Sequence, residues 1–381
     1  MAIKNLIIFG TRPEAIKMAP LVHEFRKNPD IFKTRVCVTA QHREMLDQVL
    51  DFFDISPDYD LDLMKPNQTL HGLTAAIITE LEPVLSDFQP DYVYVHGDTT
   101  TTMASSIAAF YSGAKICHVE AGLRTFNKHA PFPEEINRSV AGVIADIHCA
   151  PTQTSCDNLL RENKPAESIV ITGNTVIDAL QFSQLKVNSE GFTDDEIEAL
   201  KERLDLDRRI LLVTGHRREN HGEGFISICK ALRGLAEKYP DLQIVYPVHL
   251  NPKVKGPVYE LLGGIENIHL IPPLAYPAFI WLMSRSHIVL TDSGGVQEEA
   301  PSLGKPVLVM RETTERPEAV KAGTVLLVGT DADLIVTETT KLLEDDTLYE
   351  SMGHRHNPYG DGKACERILG HILKDHADEI T

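Results

Sequence analysis

The residues best suited to chemistry begin at Asp292. A β-branched apolar run, His287 to Thr291, gives way there to Asp292-Ser293-Gly294-Gly295, and a helical pattern carrying Glu298 and Glu299 comes next. Gly304, Lys305 and Pro306 end that helix before the next strand-like run. A strand, a Ser-Gly-Gly turn and a helix start make an anion site, because unpaired amide N–H groups and the positive end of the helix dipole point at one spot. Glycine lets an anion approach the backbone with no Cβ in the way. Glu299, a little further along the helix, is placed to accept hydrogen bonds from a sugar hydroxyl such as that of a ribose. Taken alone, such a turn is an ordinary strand-to-helix connection. The segment Arg311-Glu312-Thr313-Thr314-Glu315-Arg316-Pro317-Glu318 favours the functional reading, since two arginines and two threonines beside an anion cradle suit a diphosphate.

Titratable groups recur at the ends of the other strand-like runs. The first half offers Arg12, His96 and Asp98, Glu120 and Arg124, then Glu134, Asn137 and Arg138 at a helix start. The second half offers His216, Arg217, Arg218, Glu219 and Asn220, then His249 and Asn251, then Asp292, Ser293 and Gly294, and Arg316. Any one of these is commonly a cap or turn residue. Nearly every strand of both halves ending this way predicts two half-sites facing each other across an inter-domain cleft. No G-x-G-x-x-G comes after the first strand, and no Walker loop, G-x-S-x-G elbow or metal-ligand triad occurs, so neither a redox cofactor nor a metal is expected. What remains is acid/base work by carboxylates and histidine on an anionic, nucleotide-linked substrate.

Such residues must be held by parallel strands. Strand-like runs alternate with helical ones from Lys4–Phe9 to Ser168–Ile171, and again from Arg209–Val213 to Thr324–Val328. This alternation predicts two parallel sheets with helices on both faces. Periodicity fades over Phe182–Asp194, so the boundary is placed near Gly173, with domains at 1–173 and 174–362. A last helix, about 363–381, is expected to pack back on the first domain. The length of 381 residues agrees with two domains. A net charge of −18 without any Lys/Arg block argues against nucleic acid or an anionic membrane as partner. A local basic cluster can still serve an anionic substrate within a Debye length of ~8 Å. Six cysteines without ligand spacing read as reduced core thiols. With no signal-like leader and no apolar stretch of ~18 residues, a cytoplasmic protein is expected.

Eight segments together resemble one family. They are GTRPEAIKMAPLV at 10–22, TAQHREML at 39–46, VHGDTTTT at 95–102, HVEAGLRT at 118–125, PFPEEINR at 131–138, GNTVID at 173–178, TGHRREN at 214–220 and TDSGGVQEEAPSLGKPVLVMRETTERPEAV at 291–320. In register over nearly the whole chain, they are similar to the non-hydrolysing UDP-N-acetylglucosamine 2-epimerases. The resemblance implies two Rossmann-like, doubly wound parallel-sheet domains in a GT-B arrangement, with the active site in the cleft, a homodimer, and no cofactor. It implies reversible conversion of UDP-N-acetylglucosamine to UDP-N-acetylmannosamine by elimination of UDP to a 2-acetamidoglucal and re-addition. By motif, Asp98, Glu120, Glu134, Arg138 and His216 match the family's catalytic group. Arg12, Lys17, Ser293, Gly294, Gly295, Glu299 and Arg316 match positions that hold UDP, and Phe279 lies where the uracil packs. Gln41, His42 and Arg43 match a segment that binds UDP-N-acetylglucosamine as an activator in bacterial members. Glu44 and Asn67 depart from that pattern, standing where some members have Gln and Arg. A GT-B glycosyltransferase would share the fold and the diphosphate cradle but need an acceptor cleft. A non-catalytic nucleotide-sugar sensor would lack the opposing carboxylates, and a hydrolysing epimerase would release free N-acetylmannosamine.

Overall fold

The computed structural model describes residues 2–39, 43–63, 65 and 68–380, with backbone alone for 43–45 and 378–380. The chain divides into two compact units, Met1–Ala179 with Tyr359–Thr381, and Leu180–Pro358. Each is built on one parallel sheet. The first unit holds β1 (Ile3–Phe9), β2 (Phe32–Val38), β3 (Tyr59–Asp60), β4 (Tyr92–His96), β5 (Lys115–Val119), β6 (Ile147–Ala150) and β7 (Ile169–Ile171). They lie in the order β3-β2-β1-β4-β5-β6-β7. The second unit holds β8 (Ile210–Thr214), β9 (Gln243–Pro247), β10 (Ile268–Ile271), β11 (Ile288–Thr291), β12 (Val307–Val309) and β13 (Val325–Leu327), in the order β10-β9-β8-β11-β12-β13. Strands β4, β8 and β11 are buried along their whole length, as expected of a sheet covered on both faces. The expected fold of two parallel-sheet α/β domains is therefore present.

In both sheets the strand order reverses beside the first strand, between β1 and β4 and between β8 and β11. Ligands of open α/β sheets bind beyond the carboxyl ends of strands at such a switch point. The turns there are Gly10-Thr11 and Gly97-Asp98 in one unit, and Gly215-His216 and Asp292-Ser293 in the other. Gly10 is dictated by close packing. A Cβ on it would stand 2.0 Å from Thr39 Oγ1 and 2.6 Å from Thr101 Oγ1.

One helix differs from the sequence expectation. The stretch Phe182–Asp194 reads as aperiodic, yet the helix Thr175–Val187 extends into its first half, and the remainder is turn and coil. Val176, Leu180, Ser183 and Val187 are all buried at helical spacing, so a polar residue on the inner stripe hides the period. The last helix, Ala364–Ile380, belongs to the first unit. Asp178 caps its start, accepting from Ala364 N at 3.2 Å and Cys365 N at 2.9 Å. Further along, Asp375 accepts from Tyr92 Oη and Lys115 Nζ, each at 2.7 Å. Among the described residues no helix is long and apolar enough to cross a membrane, and no group of His, Cys, Asp or Glu is arranged to hold a metal.

Candidate active site

In the first unit the site is assembled from the ends of β1, β4 and β5. Thr11 caps the helix Arg12–Arg26 in a capping box with Glu14. Glu14 is buried, and its carboxylate links two turns. One oxygen accepts from Gly10 N at 3.1 Å and Thr11 N at 2.8 Å, and the other from Thr99 Oγ1 at 2.6 Å. Burial raises its pKa above the ordinary value, opposed by these hydrogen bonds. The β1 turn and the Asp98 turn are thereby locked together. Arg12 opens the helix, half-buried, and Lys17 lies just over one turn further along it.

Lys17 reaches Glu120, so a residue expected to hold UDP is ion-paired to one expected to be catalytic. Glu120 also accepts from Asn174 Nδ2 at 2.8 Å, and His96 Nε2 lies 3.7 Å from the same oxygen. Burial pushes the His96 imidazole down to about 4, more than Glu120 restores, so the ring is neutral at physiological pH. Glu120 has φ of 61°, the left-handed region that a side chain rarely adopts. Such conformations cost on the order of 1–3 kcal/mol and gather at sites where geometry matters more than stability.

Asp98 and Arg138 form an ion pair, and Arg138 Nη1 donates to Glu135 at 3.2 Å. Asn137 Nδ2 donates to Asp98 O at 3.0 Å. The helix Glu134–Ile144 thus grips the β4 turn from its first two turns. Its two leading carboxylates differ. Glu135 is buried and accepts the N–H groups of Thr125 and Phe126, which fixes the loop before the helix. Glu134 is half-buried and its carboxylate makes no hydrogen bond with the described residues. Arg124 is turned away from this chemistry by a two-point ion pair with Glu162, at 2.5 and 2.8 Å.

In the second unit, Ser293 caps the short helix Gly294–Glu299 through its backbone, its side chain making no capping bond. Ser293 N donates to Thr291 Oγ1 at 2.9 Å. The Arg316 guanidinium overlies Gly294, where a Cβ would meet its Cζ at 3.4 Å. Beside Gly295, a Cβ would stand 3.8 Å from Glu299 Oε2 and 4.0 Å from Ser293 Oγ, so the glycine pair, the hydroxyl and the carboxylate share one small volume. Glu298, buried, accepts from Arg316 Nε at 2.6 Å. Glu315 joins Arg311, Arg316 and Arg217, at 2.5, 3.6 and 3.1 Å. Burial would raise the Glu315 pKa, but Arg316 and Arg311 prevail and hold it down to about 2. The arginines of the basic segment are therefore paired with carboxylates of their own unit. Arg311 is taken by Glu219 and Glu315, and Thr314 donates to Gln297. Arg316 alone of its two arginines lies over the turn.

His216 comes just after β8 and stacks on His249, ring centroids 5.5 Å apart. Phe279 sits half-buried in the first turn of the helix Tyr276–Arg285, which comes after β10. Gln41 and His42 lie outside the described residues, as does the side chain of Arg43. Glu14, Glu135 and Asn174 were not singled out by sequence reasoning. Thr11-x-x-Glu14 is a capping-box spacing and could have flagged the first. Asn174 lies in the GNTVID segment, which did not by itself single it out.

The model of the UDP-N-acetylglucosamine 2-epimerase family matches residues 23–373. The chain is 58% identical over 366 residues to the UDP-N-acetylglucosamine 2-epimerase of Escherichia coli K12, covering 96% of this chain and 97% of that one. The UDP-GlcNAc 2-epimerase of Neisseria meningitidis, solved bound to UDP-GlcNAc, superposes with a TM-score of 0.87 at 52% identity, covering 98% of this chain and 100% of that chain. A structure from Listeria monocytogenes, described as a putative UDP-N-acetylglucosamine 2-epimerase, gives 0.91 at 47% identity over 100% and 98% of the two chains.

Proposed function

The chain belongs to the UDP-N-acetylglucosamine 2-epimerase family, and from that membership we propose that it interconverts UDP-N-acetylglucosamine and UDP-N-acetylmannosamine by eliminating and re-adding UDP. The observation that carries this reading is the division of labour between the two switch points. One gathers Asp98, Glu120 and Arg138 with Glu134 on the adjoining helix, and the other presents a Ser-Gly-Gly turn under Arg316. The first offers carboxylates for acid/base work, and the second offers an anion cradle with His216 on the neighbouring turn.

C2 of the sugar is not next to a carbonyl, so its hydrogen is not acidic in the ground state. Departure of UDP from C1 changes that. As the C1–O bond breaks with its electron pair going to UDP, the developing positive charge at C1 loosens the C2–H bond. A carboxylate takes the proton, leaving a C1–C2 double bond. UDP then adds back at C1 while an acid on the other face protonates C2. Asp98, Glu120, Glu134 and His216 supply the acid/base groups. Arg138, with Arg12, Arg316 and the Ser293–Gly295 turn, stabilises the charge gathering on the departing diphosphate. Glu299 and Phe279 hold the ribose and the uracil. On this reading the enzyme works as a cytoplasmic homodimer and supplies N-acetylmannosamine units for surface polysaccharide.

Incubation with UDP-N-acetylglucosamine tests the proposal through its products. An equilibrium mixture with UDP-N-acetylmannosamine is expected. Free N-acetylmannosamine would mean hydrolysis, and transfer to an added acceptor would mean a glycosyltransferase. Arg316→Ala is expected to weaken UDP binding by about 1.5–3 kcal/mol, the range for hydrogen bonds to a charged group. Calorimetry with UDP checks it, and unchanged affinity would remove Arg316 from the cradle.

A further inference from the structure

We propose that Asp292 is the positioning residue of His216, holding the imidazole as its Nδ1–H tautomer so that Nε2 is the nitrogen presented to substrate. The proposal rests on the reading of His216 as an acid/base group. Strands β8 and β11 pair with Thr214 level with Thr291, which sets the loops at their carboxyl ends side by side. Asp292 has no solvent exposure. One of its oxygens clamps the His216 loop, accepting from His216 N at 2.9 Å, Arg217 N at 2.8 Å and Asn220 Nδ2 at 3.3 Å.

The other oxygen is not needed for that clamp. Among the described residues Asp292 Oδ1 accepts no hydrogen bond, and the His216 Nδ1 atom stands 3.5 Å from it. A buried carboxylate oxygen without a donor is costly, and this ring nitrogen can supply one only when it carries the proton. Contacts of this length in unliganded sites commonly tighten when substrate binds. The plane of the ring is restrained by the His249 stack, the two rings lying 18° apart. Burial lowers the His216 pKa, Asp292 pulls it back, and His249 and Arg217 add to the fall. A neutral imidazole has one N–H, and its placement decides which nitrogen can take or give a proton at the substrate.

Asp292→Asn separates the two tasks of the side chain. Its amide oxygen can keep the clamp, while its amide nitrogen would face His216 Nδ1 as a donor and favour the Nε2–H tautomer. Nitrogen-15 NMR of the full chain, with the His216 signals assigned by their loss in His216→Gln, should find Nδ1 protonated in the wild type and Nε2 protonated in Asp292→Asn. Turnover of Asp292→Asn should fall on the order of 10²-fold. KM and UDP affinity should move by no more than on the order of threefold, because binding contacts are untouched. A purely structural role would leave the tautomer alone and lower the melting temperature instead. A wild-type imidazole protonated at Nε2, or an Asp292→Asn variant with unchanged turnover, overturns the proposal, and the first needs no folded Asp292 variant. A His216→Gln variant of normal turnover overturns instead the reading beneath it.

Discussion

Epimerisation in deuterium oxide should yield UDP-N-acetylmannosamine carrying deuterium at C2 in essentially every molecule. The carboxylates that gather beyond β4 and β5 can take a proton and give one back, and the second proton comes from a group equilibrated with solvent. Elimination requires the C2 hydrogen to leave, whereas a hydride mechanism returns the same hydrogen. Mass spectrometry of the product gives the first answer, and proton NMR at C2 locates the label. Positional exchange of oxygen-18 from the bridging to the non-bridging positions of the β-phosphate should accompany it, because UDP released into the site can rotate before re-adding. A product that keeps its original C2 hydrogen would sink the elimination mechanism, although it would leave the family assignment standing.

Glu120→Gln should lower turnover by a factor of ~10² or more, in the range expected when a positioned general base is lost. The substitution keeps the length and shape of the side chain. It removes the charge that Lys17 meets and the basicity that would take the C2 proton. Asn174 Nδ2 can still donate to the amide oxygen, so the left-handed turn at residue 120 keeps one anchor. UDP binding should survive, since the Ser293–Gly295 turn lies in the other unit. Kinetics, UDP calorimetry and a melting curve on the same preparation separate loss of chemistry from loss of fold. A variant with near-normal turnover and normal melting would remove Glu120 from the catalytic group. In that event Glu134, whose carboxylate is not engaged by the described residues, becomes the first base to test.

Much of the frame was legible in the sequence. Strand and turn signals are local, and β-branched runs such as Ile210–Val213 and Ile288–Thr291 declare themselves without reference to anything distant. Parallel sheets place function at strand ends, so the residues just beyond each strand already singled out Asp98, Glu120, His216 and Ser293. The helix Thr175–Val187 was missed in part because Ser183 occupies an inner position, and a polar residue breaks an apolar count even when its neighbours bury it.

The sequence by itself determined the two parallel sheets and which residues end their strands, because both arise from hydrogen bonding and periodicity over a few residues. Only the tertiary structure decided which charges meet. Lys17 finds Glu120 across 103 residues, and Arg316 finds Glu298 across 18. Two neighbouring glutamates differ, Glu135 being committed to the loop before its helix and Glu134 making no hydrogen bond with the described residues through its carboxylate. Asp292 meets His216 only because β8 and β11 are neighbours in the sheet. Ion pairing depends on separations of a few ångströms, and long-range packing sets those separations where sequence spacing cannot.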